Sequence, residues 1–190
     1  MQAMPKQTKL RALRDAVSEL TGAYRIGALL RGRGVIAWSA RVKSPSRLTL
    51  GRGVSVQLGS IVHCGGKPWS EFEGHVRLGD GVAIGPYCIL YGAGGIELCD
   101  YVHLGPGVKL MAQAGRHDAK RLGPDPTYNF APIRIGAGSW IGAGAVILGG
   151  ATLGRCVNVA PNSVVVGEVP DYAVVVGNPA RVVMKNEGIT

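Results

Sequence analysis

Hydrophobic positions in the C-terminal half of the chain recur every six residues. From Ile135 the sequence divides into IGAGSW, IGAGAV, ILGGAT, LGRCVN, VAPNSV and VVGEVP, and each block opens on an aliphatic residue: Ile135, Ile141, Ile147, Leu153, Val159 and Val165. The fifth positions, Ser139, Ala145, Ala151, Val157, Ser163 and Val169, are mostly small. Neither the helical period of 3.6 nor the strand period of 2 accounts for this alone. Six does contain a whole number of strand steps, so an extended hexad can aim its first residue inward each time, with a tight turn before the next. Three hexads then make a triangular coil. Stacked coils bury a column of aliphatic side chains while their backbones pair as parallel strands, and glycine and asparagine serve the turns, where positive φ costs them little.

An earlier set runs through Leu78, Ile84 and Leu90, slips by two residues, and continues at Leu98, Leu104 and Leu110, with a looser set between Leu48 and Ile61. The pattern predicts one all-β solenoid over residues 48–170, interrupted by a polar excursion at 112–132. Ahead of it, Leu10, Leu13, Val17 and Leu20 recur at helical spacing with Lys9, Arg11 and Arg14 on the other side. That spacing predicts a short amphipathic helix over 8–21, whose role is to cap the open end of the solenoid. The expected organisation is a basic N-terminal helical cap at 1–47 and a solenoid domain at 48–190, closed by a short C-terminal helix near 179–187.

Composition agrees with a single domain carrying a small appendage. With 30 glycines among 190 residues and 6% aromatics the chain suits neither a helical bundle nor an aromatic-rich sandwich, and 46% hydrophobic residues exclude a largely disordered one. Cys64, Cys88, Cys99 and Cys156 form no CxxC pair, stand in apolar contexts, and are expected to be reduced structural thiols of a cytosolic protein. No secretory signal is visible at the N-terminus. Residues 135–154 carry no charge, but the glycines that stud them and the period of six favour the solenoid over a membrane span. The net charge of +9 is concentrated: residues 1–47 hold ten of the 21 Lys and Arg against only Asp15 and Glu19. That segment is expected either to cap the solenoid or to touch an anionic membrane surface. It lacks the interleaved aromatics and docking motif of a nucleic-acid binder.

The excursion, MAQAGRHDAKRLGPDPTYNFAPIRIG, carries a lone histidine, His117. Together with GGIELCDYVHLGPGVKL (94–110), the restart APIRIGAGSWIGAGAVI (131–147) and the terminal VVVGNPARVV (174–183), the loop GRHD (115–118) resembles the hexapeptide-repeat acyltransferases over residues 48–185. The resemblance is strongest to the branch that O-acetylates sugars of lipopolysaccharide, capsule or exopolysaccharide. It implies a left-handed parallel β-helix, a homotrimer with active sites between subunits, acetyl-CoA as co-substrate, no metal, a sugar or glycan acceptor, and a cytoplasmic location.

By the same resemblance His117 is the general base. The chemistry asks for such a group, because a hydroxyl must lose its proton as it attacks a thioester, and imidazole titrates near the working pH. The cofactor arm is expected against Trp140, Gly142, Ala143, Ala160 and Pro161, with Arg181 meeting the nucleotide phosphate, since a guanidinium binds phosphate as a fork. Tyr87, Tyr91 and Arg116, with Trp69, either line the acceptor pocket or are packing and rim residues. The other three histidines, His63, His75 and His103, are read as structural or surface residues. Competing readings are N-acetylation of a nucleotide-linked amino sugar, a non-catalytic scaffold, and a γ-class carbonic anhydrase on the same solenoid. The last is disfavoured because no second histidine stands within ten residues of His117.

Overall fold

The computed structural model describes residues 6–65, 74–116 and 127–185, without the side chains of 6–9, 11, 12, 116 and 127. Short strands follow one another in a cycle of three. Gly34–Ile36, Arg41–Lys43 and Leu48–Leu50 begin the first coil, and the strands of each later coil join the same three sheets in the same order. All pairings within these coils are parallel, and the arrangement fits a left-handed parallel β-helix with three flat faces. Faces one, two and three are named here in the order the chain meets them.

The sixfold pattern becomes three columns. Ile84, Leu104, Ile141 and Val159 stack on face one, Leu90, Leu110, Ile147 and Val165 on face two, and Leu78, Leu98, Ile135 and Leu153 on face three. All of them are buried, and full burial stabilises each by about 1.5–3 kcal/mol. The small fifth positions turn inward at the corners, where Ser139 and Ser163 serve the backbone. Ser139 Oγ donates to the Gly154 carbonyl at 3.1 Å and accepts the Val157 N–H at 3.0 Å. Ser163 Oγ accepts the Gly177 N–H at 3.1 Å.

The turn from face one to face two always takes four residues, as at 85–88, 105–108, 142–145 and 160–163. Both long insertions, 64–75 and 112–132, instead leave at the edge between faces two and three, where the two-residue slip between Leu90 and Leu98 also falls. The larger one begins and ends as a hairpin, Gln113–Arg116 against Thr127–Phe130, with Gln113 opposite Phe130 and Arg116 opposite Thr127.

Three expectations are corrected. The solenoid starts at Gly34, not at residue 48, because Ile36 and Val42 already supply buried rungs to faces one and two. The N-terminal segment holds two helices, α1 (Lys6–Thr21) and α2 (Ala23–Leu30), and α1 is turned the other way round from the expected cap. The first coil presents α1 with N–H donors from a turn rather than with apolar surface. Asp15 accepts the Ser46 N–H at 3.0 Å and its hydroxyl at 2.8 Å, and Glu19 accepts the Ser44 N–H at 2.7 Å. Leu10, Leu13, Val17 and Leu20 therefore point outward, 52–88% exposed. The core-facing contacts belong to α2, through buried Ala28 and through Tyr24, which packs on the core.

Finally, the C-terminal helix is replaced by a strand, Ala180–Lys185, antiparallel to Ala173–Gly177. The β-branched Val182 and Val183 favour an extended chain, and the last face-one strand offers them an open edge.

Candidate active site

The positions expected to hold the cofactor fall on one edge of the prism. Trp140 and Ile141 form a two-residue strand of face one, with Ile141 in the core and the Trp140 ring outside. That ring stacks on His103, one rung below, with centroids 5.4 Å apart and 26° between planes. The chain then turns toward face two through Gly142 and Ala143, and the next coil repeats the turn through Ala160 and Pro161. The turns hang on one another: Gly142 N–H donates to the Val159 carbonyl at 2.8 Å, Asn162 N–H to the Ala143 carbonyl at 2.9 Å, and Ala160 N–H to the Val175 carbonyl at 2.9 Å.

Glycine is required at 142 by closeness, since a Cβ there would lie 2.6 Å from Pro161 N and 2.7 Å from the Val159 oxygen. Two rungs further along, Arg181 pairs with Val176 across the terminal hairpin, exposed, and its Nη1 donates to the Ala180 carbonyl at 2.9 Å. Trp140, the turns of 142–143 and 160–161, and Arg181 thus make a file along the solenoid axis.

The hairpin that leads into the loop leaves from another edge. His117 follows directly on Arg116, the last paired residue of the hairpin's first strand, and falls outside the described residues, as does Trp69. Tyr91 ends its face-two strand at the edge from which that hairpin leaves. It lies flat on His63 of the rung below, 5.4 Å between centroids and 5° between planes. Tyr87 sits at the other edge of face two, with φ +59°, and its ring occupies the space a Cβ on Gly59 would take. Tyr87 and Tyr91 are therefore not brought together within one chain.

Sequence reasoning passed over His63. Its Nδ1 accepts the Gly65 N–H at 3.2 Å, and burial, reinforced by the charge of Lys43, pushes its imidazole below the ordinary 6.5. His63, Tyr91, Gln113, Lys43, Arg25 and Trp38 border a groove of about 1000 Å³ between the N-terminal helices and face two. Regular rung spacing did not signal it, because the pairing of Ile61 with Ile89 that places His63 under Tyr91 spans the 64–75 insertion.

On face three His75 joins a charged row. Its Nε2 lies 3.4 Å from the Glu97 carboxylate, which also meets Arg77 at 2.8 Å and Arg134 at 3.3 Å. Partial burial alone would raise the Glu97 carboxyl, but the His75 hydrogen bond and the charges of Arg134 and Arg77 outweigh it and hold the group below the usual carboxylate range. His63, His75 and His103 thus stand in separate places, and among the described residues no three His, Cys, Asp or Glu side chains are grouped to hold a metal ion. All four cysteines are free; Cys64 and Cys88 are buried as expected, whereas Cys99 and Cys156 are exposed at turns.

A three-faced coil of hexads with its long insertions at one edge defines a hexapeptide-repeat solenoid. Residues 132–167 match the bacterial transferase hexapeptide family (six repeats). Nodulation protein L of Rhizobium leguminosarum is 31% identical over 139 residues, 71% of this chain and 70% of its own. A Mycobacterium tuberculosis protein named "Probable acetyltransferase" is 32% identical over 149 residues, 73% of this chain, and the match spans 50% of that relative's length. Among solved structures, one of AntD, an N-acyltransferase from Bacillus cereus in complex with dTDP-4-amino-4,6-dideoxyglucose and coenzyme A, shares the fold with a TM-score of 0.72 at 21% identity, covering 82% of each chain. The chain belongs to the hexapeptide-repeat transferase family.

Proposed function

We propose that this chain is an acetyl-CoA-dependent O-acetyltransferase that modifies a sugar hydroxyl in lipopolysaccharide, capsule or exopolysaccharide biosynthesis. The observation that carries the reading is the file of Trp140, Gly142, Ala143, Ala160, Pro161 and Arg181 along one edge. It offers an extended ligand an aromatic ring, stacked turns with close backbone, and a guanidinium, in that order along the axis. The acetyltransferase named among its relatives and the coenzyme A bound by AntD support that assignment.

In the proposed reaction His117 takes the proton of the acceptor hydroxyl as its oxygen attacks the thioester carbonyl. The carbon–sulfur bond then breaks, and the imidazolium returns the proton to the departing CoA thiolate, so no acyl-enzyme forms. Within one chain the cofactor edge and the edge that launches the loop are separated by the width of face two, about 13 Å for four extended residues. The site is therefore completed by the loop of a neighbouring copy, in a homotrimer, with Tyr91 and Arg116 lining the acceptor side. Its use of acetyl-CoA sets the enzyme in the cytoplasm.

The second reading is N-acetylation of a nucleotide-linked amino sugar, favoured by the fold likeness to AntD. Release of free CoA thiol from acetyl-CoA, measured with a panel of sugars, amino-sugar nucleotides and polysaccharide fragments, separates the two. Turnover on hydroxyl acceptors that collapses in His117→Ala supports the first. Turnover confined to amino sugars supports the second, and wild-type turnover that His117→Ala leaves unchanged removes the proposed base.

A further inference from the structure

We propose that the outward side of the N-terminal helices docks on an anionic lipid surface. The proposal rests on the inverted orientation of α1 and is independent of acyl transfer. At 3.6 residues per turn, Leu10, Leu13, Val17 and Leu20 fall within an arc of about 80° directly opposite Asp15. With Asp15 and Glu19 holding α1 to the first coil, that arc is the side left in water. On α2, Ile26 is 59%, Leu29 63% and Leu30 80% exposed, and Trp38, in the turn after Gly34–Ile36 with the Arg25 guanidinium 5.1 Å from its ring centroid, is 80% exposed. A stripe of four exposed aliphatic side chains on one helix face marks an interaction surface rather than ordinary scatter.

Charge selects the occupant. Asp15 and Glu19 are the only acidic residues among the first 47, and both are spent on inward hydrogen bonds. Arg14 on α1, Arg31 at the end of α2, and Arg33 and Arg41 in the first coil are exposed. A like patch from a second copy would set arginine against arginine with no acid to pair, whereas anionic headgroups supply the missing charge while acyl chains accept the leucines. Among the described residues no helix is long and apolar enough to cross a membrane, so the contact is one of lying on the surface.

The test is co-sedimentation of the full chain with phosphatidylcholine vesicles and with vesicles containing about 30% phosphatidylglycerol. Binding to the anionic vesicles is expected to be about tenfold tighter, and to fade as salt rises to about 0.5 M. The double substitution Leu13→Gln with Val17→Gln should abolish binding without changing the thermal midpoint, and Arg14→Gln with Arg31→Gln should remove the lipid preference. Should the leucine variant unfold, quenching of the wild-type protein by brominated lipid, lost in Trp38→Phe, reads the same contact.

Equal partition to both vesicle types would overturn the proposal, as would the absence of vesicle binding or of quenching in the wild type. So would a change in particle mass by light scattering in a folded leucine variant, which would assign the stripe to contact between copies.

Discussion

The rings of His103 and Trp140 occupy neighbouring outward rungs of face one and stack 5.4 Å apart, just before the turn that carries Gly142 and Ala143. Trp140 remains 54% exposed, so little of the fold depends on it. If the ring positions the acyl end of the cofactor, Trp140→Ala is expected to raise KM for acetyl-CoA by about tenfold, roughly the loss of one aromatic contact. Thermal unfolding should be nearly unchanged. Steady-state kinetics beside a melting curve check both, and an unchanged KM would take Trp140 out of the cofactor site.

Gly142→Ala tests the same edge by crowding. Its Cβ would press on backbone atoms of Pro161 and Val159, which cannot swing aside as a side chain can. A loss of about 1–3 kcal/mol in unfolding free energy is expected. Gly115→Ala is the control, since nothing lies within 4 Å of a Cβ there, and denaturant titration should find it near wild type.

His63 gives a pH signature. Its folded-state value is pushed below 6.5, first by burial and then by Lys43, so below that pH the unfolded chain binds the proton more readily. The stability tied to its neutral form is complete above about pH 6.5 and is lost as pH falls through the folded value. The thermal midpoint should therefore drop between pH 7 and pH 5, and the drop should be shallower in His63→Gln. Identical profiles for the two proteins would refute the assignment.

Thiol chemistry separates the cysteines. Burial pushes the Cys64 and Cys88 thiols up, away from the reactive thiolate, whereas Cys99 and Cys156 are exposed. A disulfide reagent added to the native protein should titrate Cys99 and Cys156 promptly and reach the other pair only after unfolding. Cys99→Ser with Cys156→Ser should abolish the fast phase.

The period of six was enough to reveal the columns, because within each uninterrupted stretch, such as Ile135 to Val165, successive buried positions are one hexad apart and depend on nothing distant in sequence. Ile36 and Val42 are also six apart, but the surrounding Arg31, Arg33, Arg41 and Lys43 made their stretch read as a basic arm. The direction of α1 was not legible at all. A helical wheel separates apolar from polar sides, but which side docks depended on the free N–H groups of Ser44 and Ser46, a tertiary detail. At the C-terminus, Val182 and Val183 carried the strand signal, but the strand edge they pair with is a tertiary feature. The residues from Trp140 to Arg181 were expected only through the family resemblance, whereas the His63 and Tyr91 pair needed the exact rung register across an insertion.

Because the turn between faces one and two never varies in length, position along the sequence acts as a ruler along the axis. One added coil of about eighteen residues would advance the chain by about 4.8 Å while returning every side chain to the same compass bearing. Duplicating a coil between Ile141 and Val159 would therefore lengthen the interval from Trp140 to Arg181 by one division without rotating either. The scaffold can in this way be recalibrated for a longer or shorter ligand by whole steps.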